Sequence, residues 1–309
     1  TTGCRNVAFG LSSLFNNTTA CFNTAVGVCS LFANTTGALN TATGADTLLS
    51  NTCGSFNTAI GYRAMASNTT GSHNTASGLY SLKDNTTGTR NSAYGNYALR
   101  RNTTASNNTA SGYYALNVNT TGTQNVAIGR SALQSSTTSS YNTAVGACSL
   151  YANTTGANNT AVGFMALVKN TCANHNLGIG FKAMCDTTSG SYNIGVGNCA
   201  LNANTTGVSN TVVGYRALKS NTTGTCNVGL GLVALDDVTT GSKNIAMGRA
   251  AGGNLTTGSC NVVLGTDAET SAADGVNQIV IGFGAAGAGD NQTVIGNSNT
   301  TNTTIFGTV

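Results

Sequence analysis

The side chains that most often do chemistry are few in this chain and widely spread. Histidine, whose charge changes nearest neutral pH, occurs twice, at His73 and His175. There are 10 cysteines, and none falls in the spacing of a zinc site. Carboxylates number 9 against 13 cations, a net charge of +4. Asp236 and Asp237 are sequence neighbours whose side chains diverge in a turn, which is a poor arrangement for an acid–base pair. The expectation is a protein that is not an enzyme and carries no cofactor and no metal. Two groupings remain. One is aromatic and cationic: Tyr62, Arg63, Tyr80, Tyr97, Tyr113 and Tyr114, with Lys83, Arg100 and Arg101 nearby. The other is a pair of thiols, Cys4 and Cys21.

What these residues can do depends on where the chain puts them, and a period sets that. A glycine recurs every 17 residues from Gly10 to Gly282, without insertion or deletion. The asparagine four residues earlier recurs from Asn6 to Asn261 and becomes Gln278 in the last unit. Counted from that asparagine as position 0, the unit reads N-T-A-V-G-x-x-A-L-x-x-N-T-T-G-x-x. A fixed period of this size marks a repeat architecture and takes precedence over local motifs. Asn142, Gly146, Leu150, Asn153 and Gly156 show one unit in full.

The composition says which kind of repeat. Proline is absent, as suits a chain that needs nearly every backbone N–H for a ladder. The chain is full of Thr, Val, Asn and Gly, and helix formers at helical spacing are missing. The fold expected is all-β: a parallel β-solenoid, or β-roll, with 17-residue rungs over 1–265 and irregular, shorter coils over 266–309. Each rung is expected to hold two short strands and two turns. Equivalent positions then stack about 4.8 Å apart, giving a rod of roughly 75–80 Å. The Leu column at position 8 and the Val/Ile column at position 3 are expected to fill the interior. Asn at positions 0 and 11 is expected to form amide ladders. Gly at position 4 marks a corner with no room for a Cβ, and Gly at position 14 is expected to supply positive φ in the NTTG turn.

That placement sorts the candidate chemistry. His73 and His175, six rungs apart, would lie about 29 Å from each other, too far to share a metal. Cys4 and Cys21 occupy position 15 on adjacent rungs, within disulfide reach. The other thiols act as small hydrophobes, and free thiols suit assembly in a reducing compartment followed by release. The Asn-x-Thr sequons at Asn17, Asn34, Asn68, Asn85, Asn102, Asn119, Asn153, Asn204 and Asn221 coincide with a position the repeat itself requires. Arg63, Tyr80, Tyr97 and Tyr114 share position 6 on successive rungs, with Tyr62 and Tyr113 beside them at position 5. This column is a candidate ligand surface for glycans, or part of an interface between copies. Thr at position 1 suggests an ice-binding face, but Val126, Leu177, Ile194, Val228, Ile245 and Val262 interrupt it.

The strand N-T-A-V-G carries apolar or small residues on both faces, and only one can point inward. The other calls for a partner, so a homotrimer about the rod axis is expected, with a solitary solenoid as the alternative. Charged residues are 7% of the chain, which speaks against a nucleic-acid binder. No apolar stretch is long enough for a membrane span, and no signal peptide is recognisable. The start in mid-repeat at Thr1 reads as a piece of something longer.

The pattern NTAVG…AL…NTTG…NTAVG resembles the head repeats of trimeric autotransporter adhesins. It is still more similar to the repeat shafts of phage and virus tail fibres. The segment NQTVIGNSNTTNTTIFGTV, 291–309, is similar to the stretch preceding an endosialidase-type intramolecular chaperone, which trimerises such fibres and then cuts itself off. The resemblance implies a trimeric β-roll at an extracellular, cell-surface or virion location, acting as a fibre shaft. An adhesin module recognising a surface glycan or receptor, or an end-to-end filament subunit, are the alternatives. Beyond 282 the glycine spacing shortens to Gly296 and then Gly307, and Asp267, Glu269, Asp274 and Asp290 gather on what is expected to be an exposed end.

Overall fold

The computed structural model describes residues 2–304. Thr1, where the sequence enters in mid-repeat, lies outside them. So do residues 305–309, with Gly307 and the end of the segment likened to a chaperone junction. The chain divides into two units, Thr1–Asn159 and Thr160–Val309. Both are parallel β-solenoids, and no helix occurs among the described residues. The first holds nine strands, β1 (Val7–Phe9) through β9 (Thr143–Val145), and the second nine more, β10 (Thr160–Val162) through β18 (Thr293–Ile295). Within each unit successive strands pair parallel in a register of one repeat, for example Val7↔Thr24 and Leu177↔Ile194. The final step is shorter: Ile279 pairs with Thr293.

Each coil contains one three-residue strand rather than the two expected. The rest of the coil follows another rule. Positions 6, 8 and 16 hold non-glycine residues at positive φ, as in Tyr80 (54°), Leu82 (49°) and His73 (61°). Alternating left-handed residues break strand geometry, yet their N–H groups still bond to neighbouring rungs. Leu82 N–H reaches Ala98 O at 2.9 Å, and Tyr80 N–H reaches Tyr62 O at 3.0 Å. Each such residue costs on the order of 1–2 kcal/mol. At position 8, burial of the whole leucine side chain returns roughly 1.5–3 kcal/mol.

The interior also differs from expectation. Position 3 faces outward: Ile60 is 45% exposed and Val213 43%. With a three-residue strand, only the middle side chain can point in, because alternate residues face opposite sides. The core is therefore alanine at positions 2 and 7 beneath leucine or methionine at position 8, as in Ala110, Ala115 and Leu116, all fully buried. The coil is too thin for more. At Gly178 an added Cβ would lie 3.2 Å from Leu167 Cγ.

The two glycine positions separate in their reasons. Gly112 has φ +138°, and a Cβ there would sit 2.5 Å from the carbonyl oxygen of Gly129 on the next rung, as the corner reading requires. Gly54, at position 14, is not left-handed, and the positive φ of that turn falls instead on position 16, as in Phe56 (59°). Glycine is needed at 54 because a Cβ would strike Gly71 O and Asn51 Oδ1.

The asparagine ladders are present. At position 11, Asn68, Asn85 and Asn102 each donate Nδ2–H to the Oδ1 of the preceding rung at 2.7–2.8 Å. At position 0, Oδ1 accepts the backbone N–H of the next asparagine, as from Asn91 to Asn74 at 2.9 Å, while Nδ2 crosses the coil to position 14. Asn142 and Asn153 both donate to Gly156 O at 2.9 Å, Leu150 is buried, and Gly146 sits at φ 129°. In the shortened coil Gln278 reaches Ser271 Oγ and Asp290, and Asp290 also accepts the N–H of Val276 at 2.7 Å. These bonds hold the Asp290 carboxyl below its ordinary pKa. Asp267 is drawn into an ion pair with Arg249.

Candidate functional site

The aromatic residues singled out by their spacing converge on one face of the unit Thr1–Asn159. Position 6 presents them because its left-handed conformation directs the side chain away from the core, while its N–H is fixed to the rung before. Tyr97 N–H bonds Leu79 O at 2.9 Å and Tyr114 N–H bonds Asn96 O at 3.2 Å. Tyr80 and Tyr97 lie 5.6 Å apart, centroid to centroid, and Tyr97 and Tyr114 stack at 4.8 Å with 5° between their planes. Tyr62 and Tyr113 stand across the column. Tyr62 meets Tyr80 at 70°, and Tyr113 meets Tyr97 and Tyr114 at 87° and 90°. These two are the exposed members, at 43% and 49%. The ladder therefore spends the faces of its inner rings on one another and turns their edges to solvent. Hydrogen bonding with Tyr114, then desolvation, raises the pKa of the Tyr113 phenol.

Cations border the rings. Arg100 Cζ lies 5.9 Å from the Tyr80 centroid and 5.7 Å from that of Tyr97. Lys83 approaches Tyr80 at 5.9 Å and Arg63 approaches Tyr62 at 5.5 Å. Two carboxylates not singled out from the sequence neutralise part of this charge. Asp46 pairs with Arg63 and Asp84 with Lys83, each at 3.1 Å. The signal was available, since Asp46 occupies position 6 one rung before Arg63. What the face offers a ligand is hydroxyls, cationic heads and two tilted rings: hydrogen bonding and ion pairing.

The remaining candidates resolve separately. Cys4 and Cys21 are brought together with Sγ atoms 2.6 Å apart, as free thiols. Their hydrogen bond raises the pKa of Cys4 and lowers that of Cys21. His73 stacks on Phe56 at 4.8 Å and His175 on Tyr192 at 5.0 Å, each continuing a position-16 ring column. Asp236 turns to Arg216 at 2.9 Å, while Asp237 is exposed. The sequon asparagines are committed to the ladder. Asn34 Nδ2, the atom a glycan would take, donates to Asn17 Oδ1 and Gly37 O inside the coil. Among the described residues no group of three His, Cys, Asp or Glu is placed to hold a metal ion, and no helix is long and apolar enough to cross a membrane. In sequence the chain matches no protein-family profile and no curated protein.

Proposed function

We propose that this chain is a structural shaft of an extracellular or virion fibre, whose work is length and stiffness. The observation that carries this reading is the ladder. Rung after rung, backbone, asparagine and threonine groups bond to the equivalent groups of the next repeat, as from Thr69 Oγ1 to Thr86 O at 3.1 Å. A stack of this kind couples nearest neighbours cooperatively and leaves few free strand edges along its length. The likeness of the NTAVG and NTTG units to tail-fibre shafts and adhesin heads supports the same reading.

Self-association belongs to it. In the unit Thr160–Val309 the outward strand positions are almost all aliphatic, among them Ile179, Ile194, Val213, Ile245, Met247 and Ile279, each more than a third exposed. A homotrimer that turns these faces toward one another would remove them from water. Cryo-electron microscopy of the native material, with mass from light scattering, tests this. Discrete particles of three chains are expected. Single-chain particles would remove the trimer, and continuous filaments repeating at one subunit length would make the chain a polymer unit instead.

A further inference from the structure

The tyrosine face has a charge pattern that a shaft does not need. Five cations lie on or beside it, and two are neutralised by Asp46 and Asp84. The others are not. Arg100 is stacked over two rings with no carboxylate partner, and its buried Nε has no acceptor. Arg101 and Arg130 are exposed, and neither makes an ion pair among the described residues. Arg130 continues the column of Tyr113, since the next residue, Ser131, bonds Tyr113 O at 2.9 Å. Arg100 and Arg130, the unpaired pair flanking Tyr113, belong to rungs two apart, a step of about 10 Å. In a chain with 7% charged residues, this is a local concentration of positive charge on an aromatic bed.

We infer that this face binds a linear anionic polysaccharide, lying along the stacking direction from Tyr62 to Arg130. Three features choose the ligand. The unpaired guanidinium groups of Arg100 and Arg130, with Arg101, call for carboxylate or sulfate groups, which Arg engages through paired N–H donors. The phenol hydroxyls and ring edges between them suit a chain rich in hydroxyls. The rungs, about 4.8 Å apart, advance by roughly one sugar ring each. Single-stranded nucleic acid is disfavoured by the same geometry, because its bases need open aromatic faces at each step. Here the inner rings are covered by one another and by Arg100, and the exposed rings, Tyr62 and Tyr113, stand about 14 Å apart.

The test is calorimetric titration of the full chain with an oligogalacturonide, which is carboxylated, and a heparin oligosaccharide, which is sulfated. A neutral cello-oligosaccharide and single-stranded DNA serve as comparators. At least one acidic glycan is expected to bind, more weakly as salt is added, and the neutral glycan and DNA are not. Arg100→Ala with Arg130→Ala is expected to weaken binding by about tenfold or more. Lys219→Ala with Lys243→Ala, an equal charge change in the other unit, is expected to leave it intact. Should the double arginine variant fail to fold, Arg130→Ala alone serves, because that side chain has no ion pair to lose. The inference is overturned if neither acidic glycan binds, if the lysine pair weakens binding as much as the arginine pair, or if DNA binds as tightly with the same arginine dependence. None of these outcomes bears on whether the chain is a fibre shaft.

Discussion

At Leu116 the backbone is held at φ 49° and the side chain is wholly buried over Ala110 and Ala115. The residue tolerates a left-handed conformation because its burial outweighs the strain. Leu116→Ala keeps the strain and opens a cavity that a coil one side chain thick cannot close. A loss of about 2–5 kcal/mol is expected, read as a lower thermal or denaturant midpoint. The thiols at Cys4 and Cys21 make a second residue-scale case. Cys21 has the lowered pKa and Cys4 the raised one, so Cys21 ionises first and is the attacking thiolate. With glutathione disulfide as oxidant, Cys21 is expected to displace one glutathione. Cys4, losing its proton, then displaces the second. The protein leaves lighter by two hydrogens, and two glutathione thiols are formed. Cys21 should react at lower pH than Cys4. Mass spectrometry after peptide digestion checks both points, and a glutathione adduct that persists on Cys21 would count against the pairing.

One element, the rung, accounts for what the sequence made legible and what it hid. The period, the corner glycine, the absence of proline and both asparagine ladders follow from stacking identical units, and stacking shows directly in a repeat. The facing of position 3 did not show. Val and Ile look like core residues, and only the three-residue length of the strand turns them outward. The left-handed residues at positions 6, 8 and 16 carry Leu, Tyr, Cys and His, types that give no sign of positive φ. The tyrosine column was legible as a column, and Asp46 one rung before Arg63 was legible in the same way, but the covering of the ring faces was not. The ladder also has breaks with a clear cause. Asn119 Oδ1 and Asn221 Oδ1 are buried without a donor, because the next rung offers Ser136 and Val238 at position 11 in place of asparagine. At the first break Ser136 and Ser139 bond each other at 2.6 Å, and Asn153 reaches Ser139 Oγ at 3.1 Å. Replacing them together, Ser136→Asn with Ser139→Gly, should restore a continuous run from Asn119 to Asn153. A gain of about 1 kcal/mol is expected, read as a raised denaturation midpoint. No change would mean that the serine pair already satisfies this rung.

At the scale of the whole molecule the two units differ on their outer strand face, although they share one rung design. In Thr1–Asn159 that face carries Thr41 with Thr43, Thr75 with Ser77, and Thr109 with Ser111. In Thr160–Val309 it carries Leu177 with Ile179, Ile194 with Val196, and Ile245 with Met247. Phe164, Phe181, Tyr215 and Leu232, all exposed, extend it past the corner at position 5. Nine rungs at about 4.8 Å and three outward positions give a strip of roughly 40 by 14 Å. That is about 560 Å², at the upper end of the ~300–600 Å² of the largest apolar patch on a typical monomer. Water contact over such a strip is unfavourable by roughly 25 cal/mol per Å², so covering it with a second copy, as proposed above, would be favourable. Ile194→Lys with Met247→Lys should then weaken self-association by at least about tenfold, because burying each cation against an apolar surface is costly. In the separate chain both lysines can extend into water, so the far-UV spectrum should be unchanged. Thr75→Lys with Thr109→Lys places the same charges on the hydroxyl-rich face of the other unit. Light scattering over a concentration series compares the two variants. An equal effect from both would mean that net charge governs association, and no effect from the first would place the contact between copies elsewhere.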